Sequence, residues 1–222
     1  MMQSGFWSPL RLSLEVTSVS SIIVFILATV LAGWMKGRNF PGKLLLETLW
    51  MLPLVLPPSV VGFGLLFLLG RNSWLGQMME WVFSRPVVFT WWAAVIAATV
   101  VAFPLVYQVI KTGLESVDPE LEDAARSMGA GEVQVLRFVT FPLAWRSLLT
   151  AYTLGFARAL GEFGATLMFA GNIPDKTQTL PTAIYIAVES GELETAYYWV
   201  GTILLVSFGL LSLVHWVRRD PE

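Results

Sequence analysis

The sequence predicts an all-α membrane protein, a polytopic bundle of about five transmembrane helices that carries one water-compatible helical hairpin. Three observations lead there. Of the 222 residues 55% are hydrophobic and 14% charged, and the mean hydropathy is +0.66, values of the membrane class. Five runs are long enough to supply the roughly 20 mostly apolar residues that a crossing helix needs. One long stretch, 118–142, is instead rich in charge and glycine. With no cysteine in the chain, disulfides and thiolate metal sites are excluded, although the compartment is not decided by that. The net charge of -2 says little, because in a membrane protein the placement of charge matters more than its sum.

The first crossing is read over residues 14–34, with Arg11 just before it and Glu15 at its start. It reads as a retained span rather than a cleaved signal: the apolar run is long, no small-residue cleavage site follows, and Lys36, Arg38 and Lys43 lie after it. Gly37, Gly42 and Lys43 then mimic the spacing of a phosphate-binding loop. The chemistry fails. Leu44 stands where a hydroxyl should ligate magnesium, Pro41 removes a backbone donor, and a membrane span rather than a strand precedes the motif.

The second crossing, 48–69, contains Pro53, Pro57 and Pro58. Prolines free carbonyl groups, which in lipid must be satisfied by protein or by a watery cavity, so a broken element here faces the bundle interior; a simple packing kink fits the same residues. Residues 71–86, with Trp74, Met78, Met79, Trp81, Val82 and Phe83, read as an interfacial segment. The third crossing, 87–110, starts with Trp91 and Trp92 near one interface and holds Pro104 toward the other.

The polar stretch reads DPELEDAARSMGAGEVQVLRFVTFP. Asp118 caps a helix whose first residue is Pro119, where a missing N–H costs nothing, and Glu120, Glu122 and Asp123 sit at its positive end. It runs to about Met128. Gly129 and Gly131 then permit a turn, and a second helix spans 132–141 before Pro142 marks a boundary. On the first helix Leu121, Ala125 and Met128 share one face, which can be buried, while Glu122 and Arg126 pair at i, i+4 on a wet one. A hairpin packed on its own domain is the plain reading.

The fourth crossing, 143–170, is too long and glycine-rich for a straight helix and holds the only charges deep in an apolar run. Arg158 and Glu162, at i, i+4, can share a face and cancel, which lowers the cost of burial. Two readings stand: a face on a route for an anion, or a structural ion pair. Gly155, Gly161 and Gly164 leave room for close helix approach. From residue 171 the chain turns polar, 180–188 forms a helix too short to cross, and the last crossing is 196–217. His215, Arg218 and Arg219 close it, and the histidine receives no role beyond an interfacial or capping one.

Five crossings place the termini on opposite sides. With the N-terminus outside, the inner segments hold nine of the 14 basic residues: Lys36, Arg38, Lys43, Lys111, Arg126, Arg137, Arg146, Arg218 and Arg219. Arg11, Arg71, Arg85 and Lys176 lie outside. The positive-inside rule therefore puts the hairpin and the C-terminus in the cytoplasm. Trp34, Trp50, Trp145, Trp199 and Trp216 near span ends fit an interfacial belt.

With DAARSMG followed by VTFP, the hairpin resembles the EAA loop of ABC importer permeases: Glu-Ala-Ala, three residues, Gly, nine residues, Ile, one residue, Leu-Pro. The spacing fits throughout, with Asp123 in place of Glu, Val139 of Ile and Phe141 of Leu. Further segments, FPGKLLLETLWMLPLVLPPSVVGFGLL (40–66), FARALGEFGATLMFAGNIP (156–174) and TLPTAIY (179–185), look like permeases of molybdate importers. The LPLVLPP run favours molybdate over the related tungstate and sulfate permeases.

The resemblance implies a type I ABC importer fold, one permease domain over 1–222, in a bacterial or archaeal plasma membrane. Its coupling set is Glu122, Asp123, Ala124, Ala125, Gly129 and Pro142, which would lie in a groove of a cytoplasmic ATPase. Pro57, Pro58, Ser59, Arg158 and Glu162 are the expected lining of the pathway. It also implies a second copy of the chain, two ATPase subunits that use ATP and Mg, and a periplasmic or lipid-anchored oxyanion-binding protein. For this chain the expectation is no catalytic residue, no metal or cofactor and no nucleic acid. A secondary transporter and a structural membrane protein are the other classes; the first would carry its own coupling-ion site, and neither gives the hairpin a purpose.

Overall fold

The computed structural model describes residues 2–218, with side chains for 6–81 and 84–212. Arg219, counted above among the inner charges, lies outside the described residues, as do the side chains of Val82, Phe83, His215, Trp216 and Arg218. Among the described residues there is no strand. The chain runs α1 (Met2–Met35), α2 (Lys43–Val55), α3 (Pro58–Leu69), α4 (Trp74–Phe83), α5 (Trp91–Glu115), α6 (Pro119–Ser127) and α7 (Glu132–Val135). After a π-helical turn (Leu136–Thr140) come α8 (Phe141–Leu143), α9 (Trp145–Leu160), α10 (Gly164–Phe169), α11 (Leu180–Glu189) and α12 (Leu193–Arg218).

Helix α5 is the centre, packed between α1 and α9 and touched by α2 and α10. Small side chains allow this: Ala93, Ala94, Ala97, Ala98 and Ala102 of α5 are fully buried, as are Ala28 of α1 and Ala151 of α9. Lipid gives helices no hydrophobic reason to associate, so close backbone approach has to supply the attraction by dispersion. A Cβ added at Gly155 of α9 would come within 2.6 Å of Val106 Cγ2, and one at Gly113 within 2.2 Å of Ser147 Cβ. Gly161 has no such neighbour, so of the three glycines expected to admit a partner only Gly155 and Gly164 do.

Among the described residues, three helices are long and apolar enough to cross a membrane unbroken: Phe6–Met35, Trp91–Glu115 and Leu193–Ser212. The other two expected crossings are interrupted. In 48–69 the Pro57–Pro58 pair parts α2 from α3, and the helical path bends by 119° between them. Residues 143–170 divide into α9 and α10 at 161–163, a break the Arg158/Glu162 spacing had concealed by reading as one helix. Helix α1 starts well before residue 14 because its first turns are held from outside the helix. Phe6 stacks on Trp199 at 5.9 Å, its carbonyl accepts the Trp199 indole N–H at 3.1 Å, and Ser13 Oγ accepts the Leu180 N–H at 2.6 Å.

The false phosphate motif has a structural job instead. Gly37 (φ 68°) and Gly42 (φ 93°) turn the chain from α1 into α2. Lys43 Nζ donates to the Arg38 and Met35 carbonyls at 2.8 and 3.3 Å, closing the C-terminal end of α1.

A backbone-to-backbone helix contact yields a test. A Cβ at Gly62 would lie 2.7 Å from Ala165 Cα, whereas one at Gly64 meets nothing within 4 Å. Gly62→Ala is expected to cost about 1–3 kcal/mol by overpacking and to lower the thermal midpoint in detergent by about 2–10 °C, with Gly64→Ala near wild type. Equal midpoints for the two variants would contradict the packing.

Candidate functional site

The hairpin begins as its sequence dictates. Asp118 caps α6 by accepting the Glu120 N–H at 2.9 Å, Pro119 opens the helix, and the Met128 N–H closes on the carbonyls of Ala124 and Ala125. Gly129 takes φ 92°, the left-handed region that favours glycine; Gly131, at φ -73°, does not need to be one. The Gly131 N–H is held by Gln134 Oε1 at 2.8 Å as α7 starts.

Pro142 does not end the second helix, contrary to expectation. The helical path widens at 136–140, so that the Phe141 N–H reaches back five residues to the Leu136 carbonyl, and continues through Pro142 as α8. A turn of this kind accommodates the proline's missing N–H, and such bulges recur at working parts of proteins. Here Thr140 is buried and its Oγ1 donates to Glu122 Oε1 at 2.6 Å.

Glu122 is the main correction. Expected on the wet face of α6, it is buried, 6% exposed, and binds across to α1: Lys36 Nζ donates to the same Oε1. Arg126 Nη2 stands 3.6 Å from Oε2. Burial, the largest single influence, pushes this carboxyl up, yet the hydrogen bonds from Lys36 and Thr140 and the charges of Lys36 and Arg126 together hold it below the ordinary carboxylate value. Three segments, α1, α6 and the π turn, are thus stapled at one carboxylate.

Arg126 makes the second tie. It donates to both oxygens of Glu132 at 2.8 and 3.1 Å and to Asp123 Oδ1 at 2.7 Å, joining α6 to α7. The guanidinium keeps the Glu132 carboxyl low, and Glu132 first and then Asp123 raise the arginine in turn.

The buried face of α6 is therefore Glu122 and Ala125, and the expected apolar face is split. Leu121 and Met128 are exposed, with Val133 and Phe138 of the second limb also exposed. Lys36, 86 residues away, pulls Glu122 inward and rotates the helix. Ala125 consequently faces its own chain, while Asp123, Ala124, Gly129 and Pro142 remain on the surface. A shallow depression of about 350 Å³ lies there, lined by Ala125, Met128, Gly129, Gln134, Phe138 and Val139.

The second candidate region lies where the two interrupted crossings meet. Gly164 brings α10 against the bend: a Cβ on it would be 3.2 Å from both Pro58 Cβ and Ser59 N. Pro57, Pro58 and Ser59 are exposed on the chain's own surface. Glu162 sits in the α9/α10 break, 3% exposed, accepting Arg158 Nη1 on Oε2 at 2.9 Å and the Ala165 N–H on Oε1 at 2.8 Å. Arg158 keeps 30% of its side chain accessible. The two groups of residues named separately from the sequence are therefore neighbours.

One interaction escaped sequence reading. Glu47 of α2 accepts Lys111 Nζ at 2.8 Å and the Tyr107 hydroxyl at 3.3 Å, fastening α2 to α5. Its spacing from Lys43 gave only a local i, i+4 signal; the partners are 60 and 64 residues distant.

Glu122→Ala would leave Lys36 without its carboxylate. Breaking so buried a pair is expected to raise amide hydrogen exchange across 119–127 by on the order of 10–100-fold. The ionised Glu122 stabilises fully above its ordinary pKa, and the effect is lost as pH falls through the lowered value. Protection of α6 should therefore decline below about pH 4 in wild type and lose that trend in Glu122→Gln; the same trend in both would exclude Glu122 as its source.

The family described as "Binding-protein-dependent transport system inner membrane component" matches residues 20–217. The Bacillus subtilis (strain 168) protein YvgM, named for a molybdenum transport system permease, is 54% identical over 95% of this chain and 93% of its own length. The molybdenum transport system permease protein ModB of Escherichia coli (strain K12) is 40% identical over 96% of this chain and 93% of its own. In fold, the chain matches a subunit in the crystal structure of a bacterial alginate ABC transporter with a TM-score of 0.76, at 16% identity over 97% of this chain and 79% of that one.

Proposed function

Because the chain belongs to the binding-protein-dependent transport system inner membrane components, a family of permeases whose ATPase is a separate subunit, we propose that it carries molybdate inward across the plasma membrane. The observation that carries the cargo is the 54% and 40% identity, nearly end to end, to two permeases named for molybdenum. Family membership leaves no place for a secondary transporter. Tungstate and sulfate remain the competing oxyanions, and the binding protein that delivers the ion is where they would be told apart.

In this reading two copies form the pore, with the hairpin in the cytoplasm, where nine of 14 basic residues fall. Two ATPase subunits bind beneath, using ATP and Mg, and a periplasmic or lipid-anchored binding protein docks above. The docking surface is the exposed side of the hairpin: Asp123, Ala124, the Gly129 turn and the apolar side chains of Leu121 and Met128. Glu122 and Ala125 act from behind it, fixing the hairpin to α1 rather than touching the motor. Closure of the ATPases draws the two hairpins together and rocks the helices, opening the pore outward; hydrolysis lets it face inward.

The paired helix breaks are the proposed lining. Next to Pro57 in the break, Pro58 and Ser59, exposed in the first turn of α3, lie against Gly164 on one side of the second break. On its other side the partly accessible guanidinium of Arg158 offers an oxyanion a hydrogen-bonding cation already balanced by Glu162. That balance matters, since an ion held too tightly cannot leave.

Reconstituted with its ATPase and binding protein, wild type should accumulate molybdate with ATP. Gly129→Asp and Ala124→Glu are expected to insert normally yet lower uptake and ATPase stimulation by at least about tenfold, since a charge or a strained turn at a close helix contact costs roughly 1–3 kcal/mol or more. Normal ATP-driven uptake in both variants overturns the docking assignment. Equal accumulation of sulfate and molybdate with the native binding protein overturns the cargo.

A further inference from the structure

Among the described residues, Ser84, Phe89 and Asp175 have a left-handed backbone without being glycine, and only Phe89, at φ 60°, carries a bulky side chain there. Such a residue is an outlier that persists only where its surroundings over-determine it. They do so here. Val87 and Val88, just before it, are buried in the cluster that holds Phe169 and Ala170, and Thr90, just after it, caps α5 by accepting the Ala93 N–H at 3.4 Å. What the strained turn gains is a hydrogen bond from the Phe89 N–H to the Phe169 carbonyl at 3.2 Å. Phe169 is fully buried in the last turn of α10, where a carbonyl has no partner within its own helix. The Phe89 ring lies over the next bend: a Cβ on Gly171 (φ 73°) would be 3.0 Å from its Cδ1.

Helix α10 is thus tied at both ends by groups outside it. Glu162 holds its start through the Ala165 N–H, and Phe89 holds its finish. Only six residues long, α10 sets Gly164 against Pro58 and Ser59, so its position shapes the paired breaks. Helix α3 follows it, because Gly62 lies against the Ala165 backbone. The start is tied by a neutralised carboxylate. The finish is tied by a contact that costs backbone energy, and of the two it is the one built to release.

We propose that Phe89 is a strained latch, a positioning residue that holds the far end of α10 against α5 while the pathway is shut on that side and leaves the left-handed region when α3 and α10 swing away together. This rests on the reading of the helix breaks as the pathway lining and does not depend on which oxyanion is carried. The hydrogen bond and the ring contact favour the shut state; the backbone strain opposes it. Phe89→Ala removes the ring and keeps the strain, whereas Phe89→Gly removes both. The glycine variant therefore holds the shut state about tenfold better than the alanine variant, by the cost of a left-handed L residue.

The chain has no cysteine, so Ser59→Cys reports on the breaks without background from this subunit. In the full complex with its ATPase, reconstituted and free of nucleotide, a membrane-impermeant maleimide is added from the side opposite the hairpin, and labelling of this chain is followed by mass. Ser59→Cys is expected to react about tenfold faster beside Phe89→Ala than beside Phe89→Gly. Thermal midpoints check that both variants fold, and Phe89→Ser, strained in the same way, replaces Phe89→Ala if that variant does not. A turn with a structural role alone would separate the two midpoints and leave the labelling rates equal; equal rates overturn the latch. Absence of labelling in every variant, including with ATP bound and hydrolysis blocked, overturns the lining and the latch with it.

Discussion

A helix interrupted within a membrane must find partners for the backbone groups that the interruption frees, because lipid offers none. Both interruptions in this chain meet part of that demand from within the chain, and much of the architecture follows. At the first, the Pro57 carbonyl is taken up by the Val60 and Val61 N–H groups at 2.9 and 3.2 Å as α3 begins. At the second, Glu162 supplies the acceptor for the start of α10 and is itself neutralised by Arg158. Gly62 and Gly164 then let the two broken elements lie backbone to backbone. The ion pair that the sequence left open between an anion route and a structural role is thus part of how the break is tolerated, while its arginine keeps 30% of its side chain accessible.

At the other end of the bundle, charge adds to apolar packing in fastening segments together. Lys36–Glu122 holds the hairpin to α1, Lys111–Glu47 holds α2 to α5, and Arg126 joins the two limbs of the hairpin. The first two are largely shielded, so they resist screening in a way that exposed pairs do not. The hairpin therefore presents an apolar and alanine-bearing outer side without relying on that side for its own attachment.

What could be read from the sequence was what local chemistry decides. Asp118, Pro119 and Gly129 announced the hairpin because capping and left-handed turns involve neighbours in the chain. The apolar runs announced the crossings by composition, and the prolines announced the first break. The face of α6 was misread because its orientation depends on Lys36, and Glu47 was passed over because Tyr107 and Lys111 are remote in sequence. Helix periodicity placed Arg158 and Glu162 together correctly but concealed that the second lies beyond the helix end, where only the glycines on either side hinted at a break.

Helix α1 is fixed near both ends, by Lys36 to the hairpin and by Ser13 and the Phe6 carbonyl to α11 and α12. Its 34 residues make a rod about 50 Å long. Such a rod transmits force both ways. A tilt of about five degrees at one end sweeps roughly 4 Å at the other by this length, so whatever settles on the far surface is felt at the hairpin, and the reverse. Thermodynamic linkage requires the same symmetry of the binding energies, and α1 gives that requirement a mechanical route through a single piece of backbone.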